Sequence, residues 1–254
     1  MSPAIDELDV IGQHPGVRLF SCDVWGVDLS EATLADADEV RTFAVEKRRR
    51  EHLSARWLLA QVLREAAQVN PSLVMVVRDE YRAPRLSYIH GVWLRTPLPS
   101  VSIAHSQGKA FVAIGAPHDA IGIDAEPMTR QLAVNAFDMM ARGSELALLN
   151  QHPGQAMRSW VAKEAVQKSL GLGMHLNPRD VQIPIGFSEC EISIKNSNIQ
   201  LSIWEDSGYY LAVASRQGVE GRRTPEDDLL DATLANMNAN PAWGVGCRTQ
   251  RSMV

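Results

Sequence analysis

The sequence predicts an α+β protein of two similar halves, each a small antiparallel sheet packed on a long helix. Three observations carry that expectation. The chain reads strand, long helix, strands, and then, past about residue 118, strand, helices, strands again. Its strand segments alternate apolar and polar side chains, whereas its helical segments carry apolar stripes at helical spacing. At 254 residues it can bury a full core, as one large domain or two small ones.

Taken in order, residues 1–16 read as a leader and 17–117 as the N-terminal half. Residues 118–216 form the C-terminal half, and 217–254 a flexible tail whose composition shifts to charged, then Asn- and Ala-rich sequence. A strand is expected within Val17–Leu29. One helix is expected from Asp36 to about Leu63, with the stripe Ala55, Leu59, Val62, Ala66 and Val69 facing the core and Pro71 ending it. Strands follow at Leu73–Arg78, Arg85–Tyr88 and Ser100–Ala104. The run from His105 to Lys109 reads as a turn, and Ala110–Ile114 as the returning strand. A helical region spans Ala133 to Asn150 and His152-Pro-Gly154 breaks it. The helix of Trp160 follows and stops at Gly171-Leu-Gly173. Strands recur at Cys190–Ile194, Ile199–Trp204 and Tyr209–Ala214.

Composition excludes several classes. The net charge of −5 argues against general nucleic-acid binding, which needs a strong positive field. Residues 1–20 contain no apolar run long enough for a signal peptide, and no stretch approaches the length of a membrane span. Cys22, Cys190 and Cys247 are odd in number and far apart, so no disulfide framework is implied and a reducing, cytoplasmic setting is expected.

The chemistry concentrates at Asp124 and Glu126 in Ile121-Gly-Ile-Asp-Ala-Glu126. On a strand, Ile121, Ile123 and Ala125 point one way and Gly122, Asp124 and Glu126 the other. Glu164 brings a third carboxylate from the Trp160 helix, where Trp160, Glu164 and Lys168 share one stripe. Alone, Glu164 and Lys168 would be an ordinary surface ion pair, and Asp-x-Glu on a strand is common. Joined to the His105-Ser106 segment they suggest a site. Three carboxylates without neighbouring cysteines suit a hard cation such as Mg²⁺ and a phosphate or pyrophosphate ligand. His105 is either a hydrogen-bonded strand-end histidine or a donor to a phosphate oxygen. Lys47-Arg-Arg-Arg50 reads largely as a solvated helix start. Arg49 and Arg56, seven apart on a shared face, are the anion-binding candidates, Arg56 the better one. Lys163 lies about 100° around the helix from Lys168's stripe and ranks second to it.

Ser102-Ile-Ala-His-Ser106, Ile121-Gly-Ile-Asp-Ala-Glu126 and Trp160-Val-Ala-Lys-Glu-Ala-Val-Gln-Lys168, in that order and spacing, resemble the signature of the 4′-phosphopantetheinyl transferases. The length and two-half layout are similar to the pseudo-dimeric, surfactin-synthetase type. The resemblance spans about residues 17–215. It implies a pseudo-twofold fold with the site in the cleft between the halves, in a monomeric enzyme with no membrane or nucleic-acid partner. It implies transfer of the phosphopantetheine arm of coenzyme A to a serine of an acyl or peptidyl carrier protein, with release of 3′,5′-adenosine bisphosphate. Asp124, Glu126 and Glu164 would hold Mg²⁺ (or Mn²⁺), and Glu164 would also take the serine proton. Lys168 would meet the pyrophosphate, with Arg49, Arg56, His105 and Ser106 on coenzyme A. Two departures stand out. Arg82-Ala-Pro84 replaces the family's common Gly-Lys-Pro, and Ala104 replaces the serine before the histidine, a lost hydroxyl expected to weaken coenzyme A binding by about 1 kcal/mol. A metal-dependent phosphohydrolase or nuclease on the same acids, and a non-catalytic coenzyme A or carrier binder, remain the alternatives. An adaptable patch around Met139, Met140 and Met157 is a candidate carrier contact, the competing reading being core.

Overall fold

The computed structural model describes residues 2–92 and 96–218. Most of the expected tail, from residue 219 on, lies outside them. The fold is mixed α+β, built from antiparallel sheets and helices. Two strands open the chain, β1 (Ile5–Leu8) and β2 (Arg18–Asp23). Two helices follow, α1 (Ala37–Arg41) and α2 (Glu46–Glu65). The hairpin β3 (Val74–Arg78) and β4 (Pro84–Tyr88) precedes β5 (Ser100–Ser106), β6 (Lys109–Gly115) and β7 (Ala120–Pro127). Helices α3 (Phe137–Met140), α4 (Gly143–Gln151) and α5 (Ala156–Ser169) lead to β8 (Glu189–Ile194), β9 (Ser197–Asp206) and β10 (Tyr209–Arg216).

One four-stranded sheet runs β1-β2-β6-β5 and the other β7-β10-β9-β8. The alternation of their side chains sorts the core into layers. Phe20, Cys22, Val112 and Ile114 pack under α2 with Leu58, Leu59 and Val62. The opposite faces of the two sheets meet each other through Leu19, Phe111 and Ala113 against Ile121, Ile123, Ala125, Leu211 and Val213. On the far side, Leu201, Ile203, Ala212 and Ala214 pack under Val161, Ala162, Ala165 and Val166 of α5. Strands β5 and β7 lie side by side at the seam, where the Ile123 N–H donates to the Ser102 hydroxyl at 3.0 Å.

Several expectations change. Residues 1–16 are not a loose leader: β1 pairs with β2 from Ile5–Cys22 to Leu8–Leu19. Beyond β1, His14 reaches the second sheet, where its ring bonds to Ser215 at 2.7 Å and Ser202 at 2.9 Å. The expected 36–63 helix breaks after Arg41, where the Thr42 hydroxyl turns back to the Glu39 carbonyl at 2.7 Å and Val45 is extended. Helix α2 ends at Glu65, short of Pro71, because Gln68 adopts a left-handed backbone; Ala66 and Val69 still pack against the core. The 133–150 region is two short helices separated at Ala141–Arg142. His105 and Ser106 belong to β5, and the turn is the two-residue Gln107-Gly108. Both of its residues have positive φ, 38° and 96°, the backbone such tight hairpins require. Among the described residues, no helix is long and apolar enough to cross a membrane.

Candidate functional site

The site grows from the contact of β7 with α5. Gly122 makes that contact possible, since a Cβ there would collide with the Ala165 carbonyl and the Ser169 amide of the helix backbone. The same strand face then presents Asp124 and Glu126 beside α5. The Lys168 ammonium donates to Asp124 Oδ1 at 2.7 Å. Burial pushes the Asp124 carboxyl up to about 6, with Glu164 and Glu126 adding to the shift and Lys168 opposing it. Burial alone would lower Lys168, but Asp124, Glu164 and Glu126 outweigh it and raise the ammonium's pKa. Lys168 therefore stays charged against a cluster of three acids.

Glu126 is held from two sides. Ser106 donates its hydroxyl to Oε2, and Arg130 bonds to Oε1 at 2.5 Å. Among the described residues, no three His, Cys, Asp or Glu side chains converge as a ready metal-ligand set. Lys168 and Arg130 supply the positive charge to this cluster instead. The donor chemistry nevertheless fits a divalent cation: all three groups are carboxylates, and Asp124's charge is penalised by burial and by its acidic neighbours, which a cation would relieve.

The end of β5 divides its two polar residues. Ser106 faces β7 and Glu126, while its neighbour His105 turns to α2, where Nδ1 lies 3.5 Å from the buried Glu51 carboxylate. Burial lowers the His105 pKa, Lys168 and Arg48 push the same way, and Glu51 opposes them. The Tyr209 hydroxyl, from β10, donates to the carbonyls of Ser106 at 3.3 Å and Gln107 at 3.1 Å. The tip of the first sheet's hairpin is thereby pinned to the second sheet.

Beyond His105 the surface turns basic. Arg56 is 5% exposed, and its Nη1 has no hydrogen-bond partner among the described residues. Burial lowers its pKa to about 10, with Arg78 adding and Glu39 and Asp36 opposing. His52 lies one turn earlier on α2, and burial, aided by Arg56, takes it down to about 4. Glu39 of α1 accepts a hydrogen bond from Arg78 and lies 3.9 Å from both Arg82 and His52. Arg49, expected beside Arg56, instead pairs with Glu46 at 3.3 Å near the exposed start of α2, two turns away. Glu39, Glu51, His52, Arg78, Arg130 and Tyr209 were not anticipated. The spacing of Arg48, His52 and Arg56, four apart, was the one local signal for the inner stripe.

Lys163 has a structural role. It is fully buried in α5 and bonds to Glu145 at 2.9 Å and to the carbonyls of Pro178, at 3.0 Å, and Val181. Met140 and Met157 are core residues, whereas Met139 is exposed.

Residues 120–217, from β7 to just past β10, match the family model of the 4′-phosphopantetheinyl transferase superfamily. That stretch contains Asp124, Glu126, Glu164 and Lys168. A search of curated proteins found no match.

Proposed function

We propose that the protein is a cytoplasmic, monomeric 4′-phosphopantetheinyl transferase of the pseudo-dimeric, surfactin-synthetase type. It would move the phosphopantetheine arm of coenzyme A to a serine of an acyl or peptidyl carrier protein, in a cleft between two α+β halves. The observation that carries the reading is the contact of β7 with β5 and α5, where Lys168 bonds to Asp124 at 2.7 Å and Ser106 bonds to Glu126 on the same strand face. Lys168 interacts electrostatically with His105, His105 with His52, and His52 with Arg56 on α2. That order suits a ligand with a phosphate at one end and a pyrophosphate at the other. The superfamily match over residues 120–217 supports the same chemistry.

Asp124, Glu126 and Glu164 would hold Mg²⁺, or Mn²⁺, and the bound ion would neutralise charge on the pyrophosphate and on the departing phosphate. Lys168 exchanges Asp124 for a pyrophosphate oxygen. Arg56 and His105 bind the 3′-phosphate and its surroundings, with Ser106 orienting Glu126. Glu164, half-buried like Asp124 and Lys168 beside it, accepts the proton of the carrier serine, directly or through one water. The serine oxygen bonds to the phosphorus that carries pantetheine as the bridging P–O bond breaks, releasing 3′,5′-adenosine bisphosphate.

Intact-protein mass spectrometry of apo carrier domains incubated with this protein, coenzyme A and Mg²⁺ tests the reading. A gain of one phosphopantetheine, abolished by EDTA and by Glu164→Gln in a folded protein, is the expected result. Coenzyme A hydrolysis without carrier gain would assign the acids to a phosphohydrolase. Binding without turnover across fatty-acid, polyketide and peptide carriers would leave a non-catalytic binder.

A further inference from the structure

The basic cluster around Arg56 already contains an anionic side chain. Arg56 and His52 are buried at 5% and 8% exposure, and Arg56 Nη1 and His52 Nε2 are left without hydrogen-bond partners among the described residues. Arg78 enters from the end of β3 and Arg82 from the turn after it. Against the three guanidinium groups stands the carboxylate of Glu39, which bonds to Arg78 and lies 3.9 Å from Arg82 and from the neutral His52 ring. Asp36, at the helix cap, contributes from further off. A carboxylate is the natural stand-in for a phosphate oxygen among guanidinium groups.

The element that carries Glu39 is lightly tethered. Helix α1 has five residues, and Val40 is its single buried side chain. Asp36 caps its first turn through the amides of Asp38 at 2.7 Å and Glu39 at 3.1 Å. The isolated helix is far too short to be stable by itself. Displacing Glu39 therefore disturbs one turn of chain and leaves the sheets and α2 untouched.

We propose that Glu39 is an internal counter-ion that occupies the phosphate pocket of the free protein and is displaced when a ligand phosphate enters. This rests on the reading of the pocket as the one that takes a coenzyme A phosphate. The ligand competes with Glu39 for Arg78 and pairs with Arg56, whose charge is otherwise poorly compensated. Glu39 thus raises the threshold for occupancy: weak anions at cellular concentration are refused, and only a ligand with further contacts along the seam wins.

Calorimetric titration of the wild type, Glu39→Gln and Glu39→Asp with 3′,5′-adenosine bisphosphate, coenzyme A and inorganic pyrophosphate tests this. Glu39→Gln should bind the bisphosphate about tenfold more tightly, as the loss of one competing charge in a buried pocket implies. Glu39→Asp, which keeps the charge, should stay near the wild type. Equal or weaker binding by Glu39→Gln, or the same gain in Glu39→Asp, overturns the counter-ion. A wild-type readout needs no variant: saturating bisphosphate should speed carbodiimide labelling of Glu39, followed by peptide mass spectrometry. Unchanged or slower labelling overturns the displacement. Tighter pyrophosphate binding by Glu39→Gln with no coenzyme A binding by either protein would keep the counter-ion and remove the coenzyme A reading. No binding of any probe by any of the three proteins overturns both.

Discussion

Acid should cost this protein stability at one named side chain, His14. Its ring is 6% exposed and bridges Ser215 and Ser202, strands away in the sequence, so it fastens the N-terminal segment onto the second sheet. Burial pushes its pKa from the ordinary 6.5 down to about 4. Between those values the unfolded chain binds a proton that the folded chain refuses. The contribution is therefore complete above the unfolded value and is lost as pH falls from 6.5 towards 4. Integrated from pH 7 to pH 5, the linkage amounts to about 2 kcal/mol. His52 is also depressed, to about 4, so the whole protein should lose more than this. A difference measurement isolates His14. Urea unfolding of the wild type and of His14→Gln, a polar side chain that does not titrate, is compared at the two pH values. The variant should be the less stable at pH 7, and its deficit should shrink by about 2 kcal/mol at pH 5. A deficit that is the same at both pH values would refute the argument, because a bond lost without a proton has no pH dependence.

Two further outcomes follow from backbone geometry. Gly122→Ala would drive a methyl into the backbone of α5 at Ala165 and Ser169; a loss of about 3 kcal/mol is expected by thermal or urea unfolding, and an unchanged midpoint would mean that β7 and α5 are not in register as described. Arg82→Gly removes a side chain from a left-handed position at φ 65°. Relief of about 1–2 kcal/mol, less about 0.5–1 kcal/mol for a freer unfolded chain, predicts a small net stabilisation in the same assay.

What the sequence made legible was whatever depends on neighbours within one turn or one strand. The period-two pattern of Ile121–Glu126 put the apolar residues and the acids on opposite faces, and the structure sets the first between the sheets and the second beside α5. The spacing of Glu164 and Lys168 and the stop at Gly171, with φ 68°, were equally local. The misses are long-range. Nothing near Ile5 announces that its partner is Cys22 or that His14 will meet a strand 201 residues later. Glu39 and Arg78 are 39 residues apart, so their pairing exists only once α1 and β3 are folded beside each other. In the sequence Arg49 stands out as an anion ligand because it is charged and shares a helix face with Arg56. Yet α2 buries the His52 stripe and leaves Arg49 close enough to Glu46 to be neutralised locally.

The two differences from the resembled motif, at Arg82 and Ala104, acquire physical explanations, and they do not weigh equally. Ala104 alternates with His105 on β5, so its side chain faces the apolar layer with Phe111, Ile123 and Ala125, and is 3% exposed. A hydroxyl there would be buried between the sheets and turned away from α2 and His105. Alanine therefore removes no donor from the Arg56–His105 cluster, and the expected loss of about 1 kcal/mol in coenzyme A affinity does not follow. Arg82 differs. It occupies the place of the glycine in Gly-Lys-Pro, and its backbone is left-handed, the conformation glycine serves. The Asp79 side chain closes this turn by accepting from the amides of Tyr81 at 3.0 Å and Ala83 at 2.8 Å. The turn thus holds an arginine in a conformation that suits glycine, and its side chain brings a third guanidinium within 3.9 Å of Glu39.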